Sequence, residues 1–261
     1  MESPMAVVEK IKYQDTTYFV VRDDLLPGGS KQRACLPLLK NLNEQGYNLF
    51  LYASPFAGFA QVALAFAAQK LNLPCHLFCE EDKTKSESLQ KHEFTQLAES
   101  FGAKITMAKT LQEAEILSTL ESEKQSSYYK IPLGFNCIEF RTEFEHQLRD
   151  QWQHIVKSIG KIPKRIWLSV GSGTLLSVLR KVIPQRTAIN CVGVQVLPES
   201  DSRIQAVMND PQITYYKTTE QFHECAGLPP AIPSNTHYDA KLWRFITRHG
   251  RHEDLWWNVA R

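Results

Sequence analysis

The strongest constraint on the fold of this chain is a unit that recurs along it: a short apolar run, a tight turn, and a stretch with helical spacing of apolar positions. Arg165-Ile166-Trp167-Leu168-Ser169-Val170 runs through Gly171-Ser172-Gly173-Thr174 into Leu175 to Val182. Leu49 to Ala53 is followed in the same way by a turn and by an alanine-rich helical stretch from Gln61 to Leu71. Cys75 to Cys79 reads as a strand, Ser86 to Phe101 as a helix, Lys104 to Met107 as a strand and Leu111 to Leu120 as a helix. Cys191 to Val196 reads as a further buried strand, and Leu255 to Val259 as a final one. Strands that alternate with helices predict a parallel sheet covered on both faces by right-handed crossovers, hence an α/β protein. With 261 residues and 43% hydrophobic content, such a chain buries a core without disulfides or a metal. Leu197 to Asn235 breaks the rhythm with Pro198, Pro211, Pro229, Pro230 and Pro233, and is expected to be an irregular covering segment.

Composition removes several function classes. Lys plus Arg number 30 against 28 acidic residues, and a formal net charge of +2 does not by itself call for a nucleic-acid partner. The six cysteines are scattered and form no C-x-x-C pair, so neither a zinc ribbon nor a redox dithiol is expected. The histidines show no metal-ligand spacing, and no metal is expected. No stretch reaches the roughly 18 uninterrupted apolar residues of a membrane span, and the start lacks a basic region followed by an apolar run. The expectation is a cytoplasmic protein with no membrane partner.

Three segments have the makings of a site. In Arg22 to Arg33, Gly28 and Gly29 form a turn that places Lys31 at the start of a helix predicted to run to about Asn43. Glycines there permit close backbone approach. An amine so restrained suits a lysine that must stay bonded to a carbonyl cofactor and later move protons. The same segment also describes a surface lysine behind a glycine turn. The second is Gly171, Ser172, Gly173 and Thr174, between strand and helix, where backbone N–H groups, the helix dipole and two hydroxyls can receive a phosphate dianion. The third is Tyr238-Asp239-Ala240-Lys241, which opens a helix containing Leu242, Phe245 and Ile246. An acidic residue at a helix start is often only a cap.

In order and spacing these segments resemble the fold-type II pyridoxal 5'-phosphate (PLP) enzymes, the tryptophan synthase β-subunit superfamily. Within it they are most similar to the aminocyclopropane-carboxylate deaminase and D-cysteine desulfhydrase branch. Gly28-Gly29-Ser30-Lys31-Gln32-Arg33 resembles that branch's Gly-Gly-Asn-Lys-x-Arg, which implies a Schiff base between Lys31 and the cofactor. Gly171 to Thr174 then binds the phosphate. Tyr238-Asp239-Ala240-Lys241 resembles that branch's Tyr-Glu-Gly-Lys or Tyr-Thr-Gly-Lys, which implies that Asp239 is the partner of the pyridine nitrogen and Tyr238 a substrate or proton-transfer residue. The resemblance implies two lobes, residues 1–42 with 132–261 and residues 43–131, with the cofactor in the cleft between them, and a homodimer.

The resemblance fails in Ser54-Pro55-Phe56-Ala57-Gly58-Phe59-Ala60-Gln61, where the family carries an asparagine that touches the cofactor and polar groups that hold a substrate carboxylate. Ser54, Ala57, Gly58, Phe59 and Gln61 stand there instead as the substrate-binding candidates. The expected activity is chemistry at the Cα of an amino acid, of the lyase, deaminase or isomerase type. The compact chain is also similar to bacteriophage PLP proteins associated with thymine hypermodification, which would make the amino acid DNA-linked. Lys241, Arg244, Arg248, His249, Arg251 and His252 beside Trp243, Trp256 and Trp257 read either as a phosphate-binding surface in keeping with that idea or as a solvated helix face over core tryptophans. A catalytically inert binding module is the remaining alternative.

Overall fold

The computed structural model describes residues 3–82, 84 and 90–261. Two short strands, β1 (Val8–Tyr13) and β2 (Thr16–Arg22), open the chain and pair antiparallel. A single 3-10 turn, Gly29–Lys31, leads into α1 (Gln32–Glu44). The strand and helix rhythm then begins with β3 (Leu49–Ser54), α2 (Ala60–Leu71), β4 (Cys75–Glu80), α3 (Glu93–Ser100), β5 (Lys104–Ala108), α4 (Leu111–Ser122) and β6 (Tyr128–Ile131). It resumes after the long helix α5 (Ile138–Ile159) with β7 (Arg165–Val170), α6 (Thr174–Val182), β8 (Ala188–Gly193), α7 (Ser202–Met208) and β9 (Ile213–Lys217). The chain ends on α8 (Trp243–His249) and β10 (Leu255–Asn258).

The chain divides into two compact units, Pro27–Glu143 and Ser3–Leu26 with Phe144–Arg261. The first holds a four-stranded sheet in the order β5-β4-β3-β6, parallel throughout. All six residues of β4 are buried, as expected of a parallel strand covered on both faces. Leu51, Ala53, Phe78, Ala108 and Ala114 form one layer of its core.

The second unit holds a six-stranded sheet in the order β1-β2-β10-β7-β8-β9. The last strand of the chain is inserted between β2 and β7, parallel to both, with Leu255 opposite Phe19 on one side and Ile166 on the other. Its core is aromatic: Tyr18, Trp167, Trp243 and Trp256 pack with Val20, Val192, Leu242 and Ile246. Trp243 and Trp256 lie 5.5 Å apart between ring centres.

The expected α/β class with parallel sheets flanked by helices is what the structure has. Three local expectations need correction. The helix expected over Ser86 to Phe101 begins only at Glu93, where His92 caps it by accepting a hydrogen bond from Phe94 N; residues 86–89 lie outside the described residues. The strand expected over Cys191 to Val196 runs instead from Ala188 to Gly193, because β7 ends opposite Gly193 and Gln195 turns to a φ of +58°. The segment from Leu197 to Asn235 is not irregular throughout. It contains α7, capped by Asp201, and β9, which completes the sheet edge beside β8.

Candidate active site

The turn that carries Lys31 is seated on α2. Gly28 and Gly29 both adopt positive φ, +88° and +69°. A Cβ at Gly28 would lie 2.2 Å from the backbone N and Cα of Ala63. Only glycine admits both that conformation and that approach. Lys31 follows in the 3-10 turn, half-buried, and leads directly into α1. Cys35, four residues further on along the helix, is fully buried; its thiol is pushed well above the ordinary value by burial, and the Lys31 charge opposes that shift.

The substrate-side candidates lie in the same unit as Lys31, at the carboxyl end of β3. Ser54 is fully buried and its hydroxyl donates to Pro55 O at 3.0 Å. Ala57 is buried, and Gly58 N donates back to Pro55 O at 2.9 Å, closing a tight turn. A side chain at Gly58 would strike Ser54 Oγ at 2.7 Å. Phe59, partly exposed, packs edge-on against Phe94 of α3. Gln61 faces inward: it is fully buried, and its Oε1 accepts from Cys79 Sγ and Thr95 Oγ1, each at 3.1 Å. That amide joins α2 to β4 and α3. Glu80, at the end of β4, is a further member of this corner, accepting from Phe56 N at 3.4 Å.

The other candidates lie in the second unit. Gly171 to Thr174 follows β7 and opens α6, a nine-residue helix whose N-cap, Gly173, has a φ of +77°. The N-cap glycine has no side chain with which to cap that helix, and backbone amides at a helix start favour an anion. Ser172 Oγ and Thr174 Oγ1 stand 3.1 Å apart. Gly171 N donates to the Tyr238 hydroxyl at 2.9 Å. A Cβ at 171 would lie 2.8 Å from the Tyr238 ring.

Tyr238 and Asp239 are held by the end of the chain. The carbonyl of Asn235 accepts from Tyr238 N at 3.1 Å and from Ala240 N at 2.9 Å, while Asn235 N donates to Ala260 O at 2.8 Å. Ala260 N in turn donates to Asp239 Oδ2 at 2.9 Å. Asp239 is fully buried, and its Oδ1 completes no hydrogen bond among the described residues. Burial pushes the carboxyl up to about 8 against the pull of the Val259 and Ala260 amides and of the nearby Ser169 hydroxyl, whose Oγ by distance and angle completes no hydrogen bond among the described residues; the Asp24 charge adds to the rise. Tyr238 is raised well above the phenol value, first by burial and then by the Asp239 charge, so it remains a neutral phenol.

Sequence reasoning passed over Ser169 and Ala260. The available signal was a lone serine in a strand that is otherwise apolar after Arg165, two residues before the glycine loop. Of the basic residues and tryptophans near the C-terminus, the tryptophans, Lys241 and Arg244 are taken up in packing, whereas Arg248, His249, Arg251 and His252 are exposed. Trp243, Trp256 and Trp257 are core residues, Lys241 is buried with its Nζ donating to Gln221 O at 2.8 Å, and Arg244 pairs with Glu220.

No protein of curated function matches the chain. Its fold is similar to that of a solved aminocyclopropane-carboxylate (ACC) deaminase homologue, with a TM-score of 0.75 and 15% identity over 99% of this chain and 90% of the other. It is similar also to the O-acetylserine dependent cystathionine beta-synthase from Helicobacter pylori, with a TM-score of 0.70 and 16% identity over 98% and 92% of the two chains. For a solved T.th. threonine deaminase the TM-score is 0.66 at 15% identity, over 94% and 87%. Residues 4–246 match the family described as pyridoxal-phosphate dependent enzyme. With nearly its whole length matched and its two sheets built on that architecture, the chain belongs to the pyridoxal-phosphate dependent enzymes of fold type II.

Proposed function

We propose that the chain acts at the Cα of an amino-acid substrate, as a lyase, deaminase or isomerase, with Lys31 holding the cofactor through its side-chain amine. The observation that carries this reading is Asp239 Oδ1, a fully buried carboxyl oxygen without a hydrogen-bond partner among the described residues. An orphaned buried acceptor is costly, and a protonated ring nitrogen facing it would offset that cost. The residues present therefore fit PLP. Gly171, Ser172, Gly173 and Thr174 would receive the phosphate at the start of α6, and Asp239 would hold a proton on the pyridine nitrogen. PLP, when bound, supplies an electron sink for the pair left at Cα.

The chain's own residues then have distinct tasks. Tyr238 fixes the first amide of the phosphate loop and, as a neutral phenol, keeps its hydroxyl hydrogen to donate. Lys31, mounted on a turn that Ala63 holds rigidly, is the group that accepts and returns the proton at Cα. Ser54, Ala57, Gly58 and Phe59 shape the substrate side, where small side chains leave room. Gln61 supports that corner from behind.

Borohydride reduction of the protein incubated with PLP, followed by digestion and mass spectrometry, tests the lysine. A pyridoxyl group on the peptide containing Lys31, absent in Lys31→Ala, is expected; labelling of another lysine, or no uptake of PLP, would refute the assignment. A panel of amino acids that left the visible absorbance of the bound cofactor unchanged would identify an inert binding module instead.

A further inference from the structure

The start of β7 lies at the opposite end of that strand from Gly171, and it borders a cavity of about 350 Å³ lined by Lys161, Lys164, Arg165, Arg251, Glu253 and Asp254. A second hollow of about 350 Å³ shares the wall of Ile162, Pro163 and Lys164 and adds Arg186. The two together form a trough with five lysine and arginine side chains against two carboxyl side chains. That local surplus exceeds the formal net charge of +2 of the whole chain. Both carboxylates are engaged. Glu253 pairs with Lys161, and Asp254 accepts from Trp167 Nε1 at 2.8 Å and Arg251 N at 2.9 Å. No acidic side chain among the described residues pairs with Lys164, Arg186 or Arg251, and all three are exposed.

The mounting is ordered. Thr187 Oγ1 donates to Pro163 O at 3.0 Å, Ala188 N donates to Lys164 O at 2.9 Å, and Phe19 N donates to Asp254 O at 3.0 Å. The basic side chains thus project from hydrogen-bonded turns at the starts of the adjacent strands β10, β7 and β8. Ile162 and Pro163 supply an apolar stretch between them. Unpaired lysine and arginine around a concave surface concentrate a positive potential, and arginine suits phosphate oxygens by its planar fork. Two hollows in series suit an anion with its charges spaced along a chain.

We infer that this trough binds an oligophosphate anion, either a free chain of phosphates or the backbone of a nucleic acid. A six-residue strand spans about 20 Å, so this site is separate from the loop after β7. The inference therefore does not depend on the assignments at Lys31 and Asp239.

The test uses the full chain loaded with PLP, tripolyphosphate in calorimetry, and a short fluorescein-labelled oligonucleotide in anisotropy. Binding of at least one probe at low salt is expected. The affinity should fall at least tenfold in Lys164→Ala/Arg186→Ala/Arg251→Ala, with cofactor absorbance and melting temperature unchanged. For the oligonucleotide, the slope of log K against log salt should be steeper in the wild type than in the variant by about 2 to 3. Tripolyphosphate binding alone assigns the site to free oligophosphates, and oligonucleotide binding assigns it to nucleic acid. Failure of both probes to bind, or equal binding by the variant, would overturn the proposal. Should the triple variant unfold, the single variants Lys164→Gln and Arg251→Gln carry the same comparison.

Discussion

The Tyr238 hydroxyl accepts the amide of Gly171 at 2.9 Å, so the first residue of the phosphate-loop candidate is tied to the residue beside the buried carboxylate. Tyr238→Phe leaves that N–H without its partner, at a cost of about 1–3 kcal/mol. PLP uptake measured by absorbance titration should weaken roughly tenfold, the equivalent of about 1.4 kcal/mol. An unchanged affinity would mean that the contact does not organise the loop.

Asp239 predicts a pH dependence of the cofactor-free protein. Its carboxyl rises from 3.8 to about 8 on folding, so the folded state holds a proton that the unfolded chain releases. The resulting stability is fully present below about pH 4 and is lost as pH rises through about 8, at a slope of at most roughly 1.4 kcal/mol per pH unit. Urea melts across this range should show the decline in the wild type and a flatter profile in Asp239→Asn. Parallel profiles for the two proteins would contradict the assignment.

Gly28 against Ala63 gives a prediction about the lysine turn. Gly28→Ala places a methyl 2.2 Å from the backbone of α2 at a φ of +88° and should cost more than about 3 kcal/mol. Ala63→Gly in addition should restore little, because the clash is with backbone N and Cα as well as with Cβ. Full rescue, read from denaturant midpoints, would show that the methyl group alone is at issue.

Gln61 separates support from contact. Gln61→Ala strands the Cys79 thiol and the Thr95 hydroxyl in the interior and should cost about 1–3 kcal/mol of stability. The affinity for PLP should stay within about twofold of wild type, well under 1 kcal/mol. A stable variant with altered response to amino acids would instead make Gln61 a substrate ligand.

The strand–turn–helix units around Leu49 and Arg165 were legible because apolar periodicity and glycine placement are local properties. The same reading applied to residues 138–159 would find α5, since Phe140, Phe144, Leu148, Trp152 and Ile155 recur at helical spacing and are all buried. β1 was harder to see, because an edge strand with the burial pattern of Val8–Tyr13 keeps charged residues in its sequence.

By itself, the order of residues determined the α/β class, the glycine turn before Lys31, and the small-residue loop ahead of α6, since each follows from short-range sterics and hydrogen bonding. Only the tertiary structure decided that Gln61 turns inward, that one Asp239 oxygen is left without a partner among the described residues, and that the C-terminal strand enters between β2 and β7. Those outcomes depend on groups far apart in sequence. Ala260 meets Asp239, and Ala63 meets Gly28, only after long-range packing has set which groups lose water and which amides remain to pair with them.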